Sequence, residues 1–179
     1  IATVALFSFA PKTSPKEVVT FNVDASKSKV DFVGSKKSDF HTGYFPVKAG
    51  SLKVEAGKLT GGSFTIDVAG LKVTDAAGDK LQGHLGSADF FDASKFGVAT
   101  YTIKSVNYTK EGKATITGDL TLKGITKAVS FDAYIRNADE KGFFAEAFFA
   151  FDRTTFGINY GVGMVDSDVQ LAIHIYGNK

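Results

Sequence analysis

KATITGDLTLKGITKAVSFDAYIR, running from Lys113 to Arg136, decides the fold. Ile116, Gly118, Leu120 and Leu122 share one parity, and Thr115, Thr117, Asp119, Thr121 and Lys123 share the other. A period of two is the signature of a strand with one apolar and one wetted face. A turn at Lys123-Gly124 or just beyond it reverses the chain. Val129, Phe131, Ala133 and Ile135 then alternate with Ser130, Asp132, Tyr134 and Arg136. Two long amphipathic strands joined by so few residues form an antiparallel hairpin, long enough to be part of a barrel wall.

Working outward, the same alternation recurs. Val18 to Val23 and Ser28 to Gly34 read as strands, the second with Val30 and Phe32 on one face. Phe40 to Val47 contains Pro46, which marks a break or an edge, and Gly50 to Glu55 resumes the pattern. Gly61 to Val73 carries Phe64, Ile66 and Val68 on one parity, then Leu71 and Val73 on the other, which predicts a bulge or bend at Ala69-Gly70. Val98 to Thr109 presents Tyr101 and Ile103. Gly142 to Phe156 has Phe on both parities, so both its faces are expected to be covered, the outer one by a helix, a second subunit or a membrane surface. Asp166 to Tyr176 turns Val169, Leu171, Ile173 and Ile175 inward. Only Thr74 to Gly97 lacks the pattern. It reads as a crossing segment with short helices, with Asp79 and Ser87 as candidate N-caps. The expectation is an all-β, antiparallel barrel of about eight strands with a short helical crossover.

The 179 residues suit one domain, placed at 18–179. Ile1 to Ala10 is apolar and too short to span a bilayer as a helix. With the linker-like Pro11-Lys-Thr-Ser-Pro-Lys after it, residues 1–17 read as a signal-peptide remnant and linker, which predicts export to the periplasm or secretion. A first strand is the alternative. A formal charge of +2 with no basic run argues against nucleic acid. The absence of Cys removes disulfides, thiolate metal sites and Cys nucleophiles. Phe contributes 17 residues and Trp none, so a large apolar surface with no polar handle must be placed.

Candidate chemistry is sparse. His41, His84 and His174 lie on separate elements without metal-ligand spacing, and no Gly-x-Ser-x-Gly occurs. No catalytic residue, metal or cofactor is therefore assigned. The best enzyme candidate is His84 with Asp89 and Asp92 nearby, against the plainer reading of a His bonded to local backbone. Arg153 shares the interior parity of Phe149 and Phe151. Inside a barrel it needs a carboxylate or several carbonyls, so it either pairs with Asp75 or Asp89 or receives a polar head group. What remains is apolar volume. Inward parity puts Phe64, Ile66, Tyr101, Ile103, Leu120 and Leu122 on a common wall, continued by Phe131, Ala133, Phe149, Phe151, Leu171 and Ile173. Small residues at Gly118, Ala133 and Ala147 leave room for a guest.

Several fragments carry a resemblance. Gly118-Asp-Leu-Thr-Leu-Lys-Gly-Ile-Thr-Lys-Ala-Val-Ser-Phe131 resembles the central signature of the YceI-like family of bacterial lipid-binding proteins. His84-Leu85-Gly-Ser-Ala-Asp89-Phe90-Phe91-Asp92 is similar to that family's His-Leu-Lys-Ser-x-Asp-Phe-Phe-Asp, with Gly86 in place of Lys. Arg153-Thr-Thr-Phe156-Gly157 matches its Arg-x-x-Phe-Gly, and Thr74-Asp75 follows a strand as it should. Gly97 and Ala128 stand where the family tends to have Pro. The resemblance implies a lipocalin-like barrel that holds a polyprenol or isoprenoid quinone non-covalently. Its lid or structural motifs would be His84, Leu85, Asp89, Phe90, Phe91 and Arg153. The expected partner is a long-chain isoprenoid lipid, with a homodimer and a transient membrane-surface contact left open. The rival readings are an enzyme built around His84 and a filled-core interaction module.

Overall fold

The structure, a computed structural model, describes residues 17–179, so the apolar stretch 1–10 and its linker lie outside the described residues. In chain order come β1 (Val18–Val23), β2 (Lys29–Lys36), β3 (Asp39–Glu55), β4 (Lys58–Asp67), β5 (Lys72–Val73) and helix α1 (Gly78–Gly86). Then follow β6 (Val98–Lys110), β7 (Lys113–Leu122), β8 (Ile125–Asp139), β9 (Gly142–Asp152), a 3-10 turn (Arg153–Phe156) and β10 (Asp168–Asn178). The strands β10, β2, β3, β4, β6, β7, β8 and β9 pair antiparallel in that order, and β9 pairs back onto β10. That closes an eight-stranded antiparallel barrel and leaves no free sheet edge around it. β1 pairs with the second half of β3 and the end of β10, and β5 with the first half of β3.

The central hairpin forms in the register its alternation requires, from Leu122↔Ile125 to Lys113↔Tyr134. Lys123 (φ 50) and Gly124 (φ 75) both turn left-handed, the geometry of a two-residue hairpin that follows the strand twist. On the outer face, Thr115 donates to Asp132 at 2.8 Å, and hydroxyl pairs join Thr117 to Ser130 at 2.7 Å and Thr121 to Thr126 at 2.8 Å. The inner face is apolar, with Ala114, Ile116 and Leu122 buried. Polar outside and apolar inside is the reverse of a membrane-spanning barrel.

Four local expectations are narrowed or corrected. Pro46 breaks nothing: Phe40 to Val47 and Gly50 to Glu55 are one 17-residue strand, β3. Val47 N–H turns towards β2, donating to Ser28 O at 3.3 Å, so the position before it faces the other way. There it falls in the gap between the Tyr44↔Lys72 and Val47↔Ile66 pairs, where no ladder bond is lost. Of the bulge or bend expected at Ala69-Gly70, the structure has the bend: Asp67 accepts from Gly70 N–H at 3.1 Å and turns the chain, so the stretch from Gly61 to Val73 is divided between β4 and β5. Neither candidate N-cap caps α1. Ala77 holds that position without a side-chain bond, and Asp79 lies in the first turn; Ser87 closes the other end by donating to His84 O at 2.8 Å and accepts from Asp89 N–H at 3.3 Å at the start of the next turn. Finally, among the described residues no helix covers the outer face of β9, which removes the first of the three covers expected for it. Phe144 stacks on Tyr176 of β10 at 4.5 Å, and Phe148 meets His174 edge-on and stays exposed.

The core is unevenly filled. Near the β3–β4, β6–β7 and β8–β9 turns, Phe21, Leu52, Val54, Leu59, Ala114 and Phe143 are all buried. Phe21 and Phe143 meet at 6.1 Å between ring centroids. β1 brings Phe21 across this end of the barrel, which is thereby closed by side chains.

Candidate ligand cavity

Above that floor the barrel is hollow, with a cavity of about 530 Å³ inside the range usual for small-molecule sites. Alternate residues of β9 from Phe143 to Phe151 all reach it. At about 3.4 Å per residue, that wall runs about 27 Å along the tilted strand. Phe64, Leu120, Phe131, Phe149, Leu171 and Ile173 point inward yet are only partly buried, because the space they face is the cavity.

The structure places all twelve predicted wall residues on this cavity: Phe64 and Ile66 of β4, Tyr101 and Ile103 of β6, Leu120 and Leu122 of β7, Phe131 and Ala133 of β8, Phe149 and Phe151 of β9, and Leu171 and Ile173 of β10. Tyr101, Phe131 and Phe149 form an aromatic band across three strands, with centroids 5.6 Å and 4.7 Å apart and the second pair stacked. Burial pushes the Tyr101 phenol well above its ordinary range, so its O–H remains a donor, to Val129 O at 3.0 Å. Ala133 and Ala147 face each other across β8 and β9, and both line the cavity. Gly118 does not leave room for a guest as expected. A Cβ there would lie 2.6 Å from the Tyr101 ring, so the space belongs to that tyrosine.

The sequence reading missed the walls from β2 and β3. Val30, Phe32, Phe45 and Val47 line the cavity too, and the alternation of Val30 and Phe32 was the available signal. Phe32, Phe45 and Phe91 make a second aromatic chain at 5.4 and 5.3 Å, linking the wall to the crossing segment.

Three elements frame the mouth: the β2–β3 tip with Ser35, Lys36 and His41, α1 with Leu81, His84 and Leu85, and the loop after the 3-10 turn with Tyr160, Met164 and Val165. No residue of α1 is fully buried, so the helix leans on the mouth without plugging it. His84 sits edge-on between Phe90 at 5.1 Å and Tyr160 at 4.7 Å, with Nε2 3.3 Å from an Asp89 carboxylate oxygen. Phe90 and Phe91 line the cavity beside His84 and Leu85, whereas Asp89 faces away from it. Lys123, at the hairpin turn, donates to Phe90 O and to Ala88 O and ties the crossing segment to the barrel. On the other flank Asp75 accepts from Thr42 N–H at 2.7 Å and Ala77 N–H at 2.8 Å, which holds its carboxyl below the usual range.

Arg153 pairs with neither Asp75 nor Asp89. It is buried, and its guanidinium donates to Asp166 O at 2.9 Å, Ile158 O at 2.6 Å and Val165 O at 3.0 Å. A planar fork of donors fits three carbonyls of one returning loop, so the side chain pins the loop that carries Tyr160 and Met164. Tyr101 apart, the polar side chains at the wall gather at this end: Ser35, Lys36, His41, His84, Arg153, Tyr160 and Asp166. Glu146 turns its carboxylate outward to Arg136 at 2.7 Å.

A family model described as the YceI-like domain matches residues 21–176. A UPF0312 protein of Shewanella baltica is 31% identical over 140 residues, covering 75% of this chain and 73% of that protein. One of Ectopseudomonas mendocina is 48% identical over 75 residues, a match that spans 42% of this chain and only 36% of the relative. Among solved structures, Burkholderia cenocepacia BcnA superposes with a TM-score of 0.75 at 23% identity, over 87% of this chain and 99% of BcnA. A polyisoprenoid binding domain from Saccharophagus degradans superposes at 0.69 with 14% identity, over 88% and 97%. These two share the fold. With the family match running from β1 to β10 and taking in the hairpin, the crossing segment and the arginine turn, the chain belongs to the YceI-like family.

Proposed function

We propose that this barrel binds a long isoprenoid lipid non-covalently, with the tail in the cavity and the head at the mouth. The observation that carries the reading is an apolar cavity inside the barrel, closed at one end, whose polar side chains, Tyr101 apart, cluster at the other. Each buried CH₂ contributes roughly 0.8 kcal/mol, so about ten would give about 8 kcal/mol before the cost of ordering the chain. The Saccharophagus degradans neighbour, described as polyisoprenoid binding, supports the ligand class. The apolar stretch at 1–10 supports an exported protein, and sequestration or carriage of the lipid follows from binding without turnover.

The enzyme alternative has less support. Ser87, beside His84, spends its hydroxyl on the His84 carbonyl, and the imidazole packs as an aromatic contact between Phe90 and Tyr160. The filled-core alternative does not fit a cavity of about 530 Å³. A chain-length series of isoprenoid alcohols tests the proposal by titration calorimetry. Affinity should climb with each added unit until the cavity is full, then level off. A series with no dependence on length would contradict burial of the tail.

A further inference from the structure

Eight large hydrophobic side chains are strongly exposed among the described residues, and six of them lie at the mouth end. Phe40 (60%) is at the β2–β3 tip, Val98 (47%) opens β6, and Ile125 (36%) opens β8 just past the Lys123-Gly124 turn. Tyr160 (44%), Val162 (58%) and Met164 (72%) stand on the loop pinned by Arg153. The opposite end has charged turns instead, with Asp24 and Lys27 in one, Glu55 and Lys58 flanking a second, and Asp139, Glu140 and Lys141 in a third. Tyr160 and Met164 belong both to the cavity wall and to the exposed set, so apolar surface runs unbroken from the interior to the rim.

We infer that this rim docks on a lipid bilayer, pressing Phe40, Val162 and Met164 into the interface so that the cavity opens directly onto the membrane. The inference rests on the lipid-binding reading above, since a long apolar ligand exchanges most readily where its tail never crosses water. The anchors sit on separate strand ends and one loop, with charged residues between them. Such a ring suits a soft planar surface better than the contiguous patch of a protein interface. The charges at these tips are of both signs, Lys36, Lys37, Lys123 and Lys127 against Asp39, Asp67, Asp166 and Asp168. Docking is therefore apolar in origin, insensitive to salt and not strengthened by anionic lipid.

The chain contains no Trp, so an introduced one reports without background. Val162→Trp at the rim and Val18→Trp at the far end replace residues of similar exposure, 58% and 53%. With phosphatidylcholine vesicles, the rim Trp should shift to the blue and be quenched by brominated lipid, and the far Trp should do neither. Phe40→Asp with Val162→Asp should cut vesicle association about tenfold. It should leave uptake of a short isoprenoid alcohol, measured without vesicles, unchanged. A rim Trp that ignores vesicles, two probes that respond alike, or self-association in place of vesicle binding would overturn the docking. Loss of uptake by the wild-type protein without vesicles would instead bring down the cavity reading, while the vesicle shift still decides the docking.

Discussion

The two ends of the barrel are made differently from the same strands. At the closed end, β1 lays Phe21 across the opening, and Leu52, Ala114 and Phe143 pack around it with almost no exposure. At the mouth, Phe90, Phe156 and Ile158 pack beside Val68, Ala99 and Leu122, and α1, two tethers from Lys123 and three carbonyl bonds to Arg153 hold the segments around an opening that stays unfilled. Packing across the opening closes one end. At the other, the packing lies to the side of the opening, and a few side-chain hydrogen bonds hold the segments that frame it. Segments held in this way should open at lower free energy than the barrel unfolds, which would make the cavity accessible without loss of the fold.

The largest effect should come from attacking the sealed end. Phe21→Ala should destabilise the protein by about 3–5 kcal/mol, read by denaturant unfolding, with lipid affinity per folded molecule little changed. Arg153→Met should cost about 3 kcal/mol, since three carbonyls, that of Ile158 fully buried, lose a charged donor. Unlike the first variant it should also loosen the Tyr160–Val165 loop, visible as faster hydrogen exchange there than in β7 and β8. Lys123→Ala should leave global stability within about 1 kcal/mol of wild type. Exchange should quicken only across the crossing segment, and equal acceleration in the hairpin strands would argue that the two ends are not independent.

The smallest effect concerns acid. Asp24, in the β1–β2 turn at the closed end, has its carboxyl held at about 2, chiefly by the Ser26 hydroxyl. A folded value below the unfolded one means that its contribution is complete above the unfolded value near 4 and is lost as pH falls through about 2. Asp24→Asn should flatten that part of the acid limb, and a carboxyl NMR titration of the wild type should find the low midpoint.

How legible was this in the chain? Wherever alternation ran uninterrupted, as in Lys113 to Arg136, strand, register and inward face followed directly, because a period of two admits one way of burying Ile116, Leu120, Phe131 and Ala133. Phe151 and Arg153 were placed inside by the same parity. The partners of Arg153 were not legible, because carbonyls of a loop without periodicity carry no side-chain signature. The same reason hid Tyr160 and Met164. Pro46 left break and edge undecided because its effect depends on which side of the strand its missing N–H would face, and pairing decides that in favour of a local edge. Asp79 misled because Asp75, four residues earlier, already takes the Ala77 N–H and sets where α1 begins. The cavity itself was legible only in part. Ala133 and Ala147 do open space, but Gly118 is small to accommodate Tyr101.

The most direct test of a sealed floor, a gated mouth and a lipid between them is native mass spectrometry of the protein from its own host, beside an Ala133→Phe variant. The substitution fills cavity volume without adding a polar group, and overpacking of this kind typically costs about 1–3 kcal/mol, which leaves a folded barrel. The wild type should carry a bound mass that fragments as an isoprenoid lipid, and the variant should fly bare. Wild-type protein without a bound lipid, or a variant that retains it, would contradict the account.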